Sequence, residues 1–199
     1  YLSFALNWYW GQDDVTGYHI FNIIIHFLAS FFLFLSILNL LQTPNIKGLT
    51  SNDIYFVALL SAVLWAIHPI QVQAVTYIVQ RMASLAAMFY IISILCYLKA
   101  RLTLSAFQKI FFSVLCGSTF LLGIASKSNA FMLPVSLLLI ELFFFRDISQ
   151  KKAKKRSAAI LFFGIITIAG IGLLLFFDGN PGNIFNGYES RPFTLYERL

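Results

Sequence analysis

Six long apolar segments, separated by short polar or basic connections, constrain this chain more strongly than any other feature of its sequence. A helix that crosses a bilayer needs roughly 17–25 residues, so the third to fifth segments are at the short end of that range. Lysine and arginine side chains that flank a short segment can extend to the interface and make up the difference. The segments cover residues 18–41, 54–80, 82–98, 110–125, 129–145 and 157–177. This pattern predicts an all-α, polytopic transmembrane helix bundle of about six spanning helices plus short interfacial helices.

The composition excludes an ordinary soluble domain. The chain is 59% hydrophobic and 11% charged, whereas soluble domains are typically about 45–50% apolar and about 25% charged. It opens at Tyr1 without a basic leader region and ends within a charged stretch, so we expect part of one membrane domain, truncated at both ends. We expect an external segment at 1–17, the six spans within 18–177, and an external loop at 178–199.

Basic residues divide unequally between the two sides of the predicted bundle. Ten lysines and arginines fall in the connections 43–53, 99–109 and 146–156, whereas four fall on the other side. The positive-inside rule therefore places those three connections in the cytoplasm. The same rule accounts for the net charge of +6, so we predict no nucleic-acid partner.

Polar residues are concentrated in the stretch "HPIQVQAVTYIVQR" (68–81). Pro69 disfavours helical backbone at His68, which predicts that the second span ends there at the outer surface. The rest of the stretch predicts a short amphipathic interfacial helix that runs into the third span, with Arg81 on the flank of its polar arc. The arc contains Gln73, Thr76, Gln80 and Ser84. Two interpretations stay open: a linker helix with solvated glutamines, or the polar floor of an external cavity.

A few other polar residues lie within or beside apolar segments. Lys127 either extends to lipid headgroups or faces a pocket, where it and Arg81 would supply two positive charges to a lipid phosphate. Asp13 and Asp14 precede the first span and are suited to cap it. His26, on an apolar helix, is interpreted as a packed, hydrogen-bonded residue. Glu141 is expected to pair with a nearby base or to lie at the interface, and a proton-relay role is the alternative.

The sequence shows no motif of a known soluble enzyme class. No histidine, cysteine and carboxylate cluster has the spacing of a metal site, so no metal is predicted. No nucleophile-elbow, phosphate-loop or dinucleotide fingerprint is present. Cys96 and Cys116 both fall within apolar segments, where a free cysteine behaves as a small hydrophobe.

Four blocks in order along the chain resemble the membrane half of the transmembrane-and-tetratricopeptide-repeat proteins, in a prokaryotic version. They are "GYHIFNIIIHFLAS" (17–30), "HPIQVQAVTYIVQRMASLAAMFY" (68–90), "SKSNAFMLPVSLLLIE" (126–141) and "RPFTLYERL" (191–199). The family is placed with the GT-C superfamily of polytopic glycosyltransferases. The resemblance implies an integral protein of the prokaryotic inner membrane. Its activity would be transfer of a sugar from a polyprenyl-phosphate carrier to a protein or glycan acceptor on the outer face, without a further cofactor.

The resemblance also implies roles for particular residues. Basic side chains would neutralise the carrier phosphate and a carboxylate would act as general base. The family's acidic loop would precede Tyr1, and a tetratricopeptide array would follow the membrane part. Relatives often have an acidic residue where Gln73 stands, and glutamate or proline where Ser128 stands. The candidates within the chain are Arg81 and Lys127 for phosphate, His68, Gln73 and Gln80 for sugar or acceptor hydroxyls, and Asp13 and Asp14 as acids.

Two other functions compete with the glycosyltransferase. The chain is alternatively a non-catalytic membrane anchor for a tetratricopeptide-repeat domain that mediates protein interactions. The absence of the expected acids favours this alternative. A transporter or lipid flippase would show inverted repeats and facing broken helices, whereas the sequence has one predicted kink, at Pro134 of the fifth span, and no duplication.

Overall fold

The computed structural model of this chain describes residues 2–12 and 14–145. This part of the chain is helical and contains no strand. The predicted sixth span at 157–177, the basic connection at 146–156 and the external loop at 178–199 lie outside the described residues, as does Asp13.

Seven α-helices are described. They are α1 (Leu2–Gly11), α2 (Val15–Leu41), α3 (Ser51–Ile67), α4 (Val72–Thr76), α5 (Arg81–Leu102), α6 (Ala106–Ser126) and α7 (Leu133–Ile140). Short 3₁₀ turns occupy Pro69–Gln71, Ile78–Gln80 and Ser128–Met132, and a π-helical turn follows α7 at Glu141–Phe145.

The described helices account for four or five of the predicted spans. Four are long and apolar enough to cross a membrane: Val15–Leu41, Ile78–Leu102, Ala106–Ser126 and Ser128–Phe145. A fifth results if Ser51–Ile67 and Pro69–Thr76, which meet at a bend of 52°, form one broken span. The prediction of an all-α membrane helix bundle is confirmed.

Local capping explains where two of the helices begin. Asp14 precedes α2 and accepts a hydrogen bond of 2.9 Å from the backbone N–H of Thr16. This backbone hydrogen bond lowers the pKa of the Asp14 carboxyl, because it favours the ionised form. The predicted capping role is thus confirmed for Asp14. Thr50 and Asp53 form a reciprocal capping box at the start of α3.

Helix α5 lies at the centre of the bundle and packs against both α2 and α6. Small residues allow the close approach to α6: a Cβ added at Gly123 would lie 3.2 Å from Ala130 Cβ and 3.6 Å from Phe89 Cβ. A hydrogen bond of 2.7 Å between the hydroxyls of Ser93 and Thr119 joins the same two helices. The apolar core contains Ile25, Ala29 and Met88, at the contact of α2 with α5.

The structure corrects the sequence prediction for Pro134 in the fifth span and identifies the partner of Glu141. Pro134 was expected to kink this span, but it lies in the first turn of α7, where a missing N–H disrupts no helical hydrogen bond. Glu141 pairs with a base, as expected, and the base is Arg101 of α5. Arg101 Nη2 lies 2.6 Å from Glu141 Oε1, and Arg101 Nε lies 3.0 Å from Oε2.

Candidate functional site

The polar stretch after α3 begins with a sharp break at His68. The residue is extended, with ψ at 131°, and Pro69 follows it in the first position of a 3₁₀ turn. The Nδ1 atom of His68 accepts a hydrogen bond of 3.2 Å from the N–H of Ile70. The predicted helix break at His68 is confirmed, since α3 ends at Ile67. His68 is exposed and caps the following turn.

A second break at Tyr77 divides the remainder of the stretch. Tyr77 is extended, with ψ at 111°, and separates the five-residue helix α4 from the turn Ile78–Gln80. The prediction of one continuous amphipathic helix is therefore wrong. Periodicity assumes unbroken helical backbone, so the predicted polar arc does not describe how these side chains are arranged.

The two breaks shape a cavity of about 230 Å³ between α2, the end of α3 and the start of α5. Eight of its eleven lining residues come from the polar stretch and the first turns of α5, which agrees with the cavity interpretation of the sequence. Gln73 and Gln80 were predicted site residues and Ser84 was part of the predicted polar arc, whereas Gln71, His26 and Trp65 were not predicted. The complete lining is His26, Ala29, Trp65, Ile70, Gln71, Gln73, Ala74, Gln80, Ala83, Ser84 and Ala87.

The cavity has a mixed lining of apolar and polar side chains. Three glutamine amides provide both donors and acceptors, and Trp65 contributes an aromatic side chain. Among the lining residues there is no carboxylate, lysine or arginine. The Ser84 hydroxyl lies 3.3 Å from the carbonyls of Ala74 and Gln80 and so connects α5 to the broken stretch. Such a lining suits a small, neutral ligand that both donates and accepts hydrogen bonds.

His26 contributes to this cavity from α2. Its Nε2 atom donates a hydrogen bond of 2.9 Å to the carbonyl of Ala66, because a carbonyl oxygen can only accept. Its ring stacks on Trp65 with the ring centres 5.2 Å apart. The interpretation of His26 as a packed, hydrogen-bonded residue is confirmed, but its place in the cavity wall was missed. The sequence signal for this place was that His26 follows Asn22 by four residues and so lies on the same side of α2.

Arg81 is buried rather than exposed at the interface. Its side chain has 0% exposure and does not line the cavity. Nε donates to Asn22 Oδ1 at 3.0 Å and Nη2 donates to the Tyr18 carbonyl at 3.0 Å. Nη1 donates to Asn7 Oδ1 at 2.5 Å and to the Ser3 carbonyl at 3.2 Å. Neutral acceptors of α1 and α2 therefore bury the guanidinium, so Arg81 is not exposed as the sequence predicted, and its role toward a phosphate stays a prediction.

Aromatic rings complete the environment of Arg81. The guanidinium carbon lies 4.7 Å from the ring centre of Phe4, 5.3 Å from that of Tyr18 and 5.6 Å from that of Phe21. These distances fall within the range of cation–π attraction. Within residues 2–12 and 14–145, Arg81 forms no ion pair, since the salt bridge found there joins Arg101 to Glu141.

The other predicted site residues lie outside the cavity. Lys127 is exposed in an extended backbone conformation between α6 and the turn Ser128–Met132. It does not line the cavity, so its role toward a phosphate stays a prediction. Asp14 is an exposed helix cap. In the part of the chain that the structure describes, no group of three or more histidine, cysteine or acidic residues is arranged to hold a metal ion.

Comparisons with known proteins give a partial match to one class of enzyme. Over 98 residues, or 49% of the chain, it is 34% identical to protein O-mannosyl-transferase tmtc2 of Xenopus laevis. Over 103 residues, or 50% of the chain, it is 33% identical to protein O-mannosyl-transferase TMTC4 of Homo sapiens. The matched regions cover 10% and 14% of the lengths of those relatives. No family model matches the chain, and no solved structure matches it significantly. The chain is an integral membrane helix bundle with partial similarity to protein O-mannosyl-transferases.

Proposed function

We propose that this chain is part of a membrane glycosyltransferase that transfers a sugar from a polyprenyl-phosphate carrier to a protein or glycan acceptor on the outer face of the membrane. The cavity beside the broken span, with three glutamine amides in its lining, carries this proposal. Uncharged hydroxyl groups match a lining of glutamine amides, which can donate and accept at once. The partial similarity to protein O-mannosyl-transferases supports mannose as the sugar to test first.

The cavity residues have separate roles in this proposal. Gln73 and Gln80 hydrogen-bond the sugar hydroxyls, and Trp65 offers an apolar ring to the carbon face of the sugar. At about 230 Å³, the cavity is smaller than the roughly 300–1,000 Å³ typical of sites for drug-sized ligands. A single sugar ring is therefore the expected occupant, with the carrier phosphate outside the cavity.

The charged parts of the reaction are assigned to residues beyond the cavity wall. The exposed ammonium of Lys127 would attract the carrier phosphate, and His68 would hold the turn that leads into the cavity. The general base toward the acceptor hydroxyl is expected from a segment before Tyr1. We further propose a location in the prokaryotic inner membrane, with 43–53, 99–109 and 146–156 on the cytoplasmic side.

The test measures mannose transfer from polyprenyl-phosphate mannose to a hydroxyl-bearing peptide, with full-length protein in lipid nanodiscs. The double variant Gln73→Ala, Gln80→Ala should lower the transfer rate at least about tenfold, equivalent to 1.4 kcal/mol. Gln42→Ala is the matched control, because Gln42 is an exposed glutamine at the far end of α2. Its transfer rate should equal that of the wild type.

Two results would contradict this proposal or the place of the sugar in it. If the wild type neither transfers mannose nor binds polyprenyl-phosphate mannose, the glycosyltransferase proposal fails and the membrane-anchor alternative takes its place. If transfer occurs but the double variant is as active as the control, the cavity is not the sugar site.

A further inference from the structure

Asn22 connects the buried Arg81 to the backbone of the broken stretch. Asn22 lies on α2, its side chain is fully buried, and its Oδ1 accepts a hydrogen bond of 3.0 Å from Arg81 Nε. On the other side of the same amide, Nδ2 lies 3.4 Å from the Val75 carbonyl and 3.5 Å from the Tyr77 carbonyl. These two carbonyls flank the point where α4 ends. One amide therefore contacts both the arginine and the break in the helix.

Other groups of α1 and α2 also hold Arg81 by hydrogen bonds. It binds Asn7 and the Ser3 carbonyl of α1, and the Tyr18 carbonyl of α2. Helices α1 and α2 approach closely here, since a Cβ added at Gly17 would lie 3.4 Å from the Asn7 amide nitrogen. The guanidinium thus connects α1, α2 and the first residue of α5 at one point.

A buried charge without an acidic partner is costly unless its donors are satisfied. Neutral amide and carbonyl oxygens satisfy Arg81 in this position, and removing the guanidinium would leave the buried Oδ1 atoms of Asn7 and Asn22 without this donor. An arginine presents its donors in a rigid planar fork, which one lysine ammonium cannot reproduce. The contacts are therefore suited to fix a backbone geometry, and they direct the guanidinium away from the cavity.

The residues beside this network form the cavity wall. Gln80 immediately precedes Arg81, and Ala74 immediately precedes Val75, and both line the cavity. We infer that Arg81 is a positioning residue: through Asn22 it holds residues 74–80 in the broken conformation that shapes the cavity, without touching the ligand. Only the identity of the ligand in this inference rests on the proposed function.

Asn22→Asp separates the two contacts of Asn22. A carboxylate still accepts the hydrogen bond from Arg81, and adds a charge pair, but it cannot donate to the carbonyls of Val75 and Tyr77. We expect the thermal midpoint to stay the same or rise. Amide hydrogen exchange across 74–80, measured in nanodiscs by mass spectrometry, should become at least about tenfold faster. Arg81→Lys should also accelerate this exchange, because the ammonium cannot maintain the fork of contacts.

Arg101→Ala is the matched control, from the other end of α5. It removes an arginine with a two-point contact to Glu141, so the thermal midpoint should fall while exchange across 74–80 stays at the wild-type rate. If exchange across 74–80 is unchanged in Asn22→Asp, or rises equally in Arg101→Ala, the inference is overturned.

Ligand binding distinguishes positioning from direct contact. Polyprenyl-phosphate mannose should bind Asn22→Asp about tenfold more weakly than the wild type, and Arg101→Ala as tightly as the wild type. Polyprenyl phosphate without the sugar should bind the wild type, Asn22→Asp and Arg81→Lys equally. A loss of sugar-free carrier binding in Arg81→Lys alone would make Arg81 a phosphate ligand and overturn the inference. If the wild type binds neither lipid, the proposed function fails, and accelerated exchange in Asn22→Asp still supports the positioning role.

Discussion

At the scale of single residues, Gln80 and Arg81 show how neighbours in the chain acquire opposite environments. The Gln80 side chain lines the cavity, whereas that of Arg81 is buried among α1 and α2. Successive residues of a helix point about 100° apart, as its 3.6 residues per turn require. Both residues are polar and were predicted to lie at the interface. Only the three-dimensional position of Asn7, Asn22 and the carbonyl acceptors decides which of them is buried.

Gly123 lies where α6 approaches α5, and we expect that a larger side chain there is not tolerated. Replacing Gly123 by leucine should destabilise the protein by roughly 1–3 kcal/mol, because the side chain would collide with Ala130 and Phe89. Gly117→Leu on the same helix is the control, since a Cβ there meets nothing within 4 Å. Thermal unfolding of the two variants in one detergent compares them directly. Equal midpoints for the two variants would show that α6 does not require a small residue at Gly123.

At the scale of elements, the broken stretch between α3 and α5 determines the shape of the site. Two residues with extended backbone, His68 and Tyr77, interrupt what would otherwise be one long helix. The first break has a local cause in Pro69. The second break has neither glycine nor proline beside it, and the β-branched and aromatic residues of "VTYIV" only lower the helix propensity there. Contacts with Asn22 and the start of α5 account for the second break.

Replacing His68 and Pro69, which end α3, should extend this helix beyond Ile67. In the double variant His68→Ala, Pro69→Ala, both the proline and the side-chain cap are lost. Helical hydrogen bonds can then continue through Ile70 and Gln71, so their amide exchange should slow by on the order of tenfold, or about 1.4 kcal/mol. Pro134→Ala is the control, because Pro134 lies in the first turn of α7. Unchanged exchange at Ile70 and Gln71 would mean that tertiary contacts alone impose the bend.

At the scale of the whole molecule, the charge bias and the helix order together predict which side of the membrane holds the cavity. The breaks that shape it lie between α3 and α5, and Lys127 follows α6, so both belong to the side opposite the connection 99–109. Two arginines of the described part of the chain, one at each end of α5, differ accordingly. Arg81 is held by neutral groups near the cavity, whereas Arg101 pairs with Glu141 at the far end of α5.

Cysteine labelling tests this orientation. In a variant with Cys96 and Cys116 replaced by alanine, Lys127→Cys should react with a membrane-impermeant maleimide in intact cells. Lys109→Cys should react only after the cells are opened, because the positive-inside rule places 99–109 in the cytoplasm. The reverse pattern would place the cavity on the cytoplasmic side and contradict a transfer reaction on the outer face.

The sequence alone determined the fold class of this protein and the approximate positions of its long apolar helices. Long apolar segments require helices in lipid, because every backbone polar group must be satisfied within the segment. Proline and aspartate act on adjacent backbone, so the break at His68 and the cap at Asp14 were also predictable. Tertiary structure decided the break at Tyr77, the burial of Arg81, the pairing of Arg101 with Glu141 and the place of His26 in the cavity wall. Each of these depends on acceptors or ring faces supplied from another helix, and no local pattern specifies where a distant helix will lie.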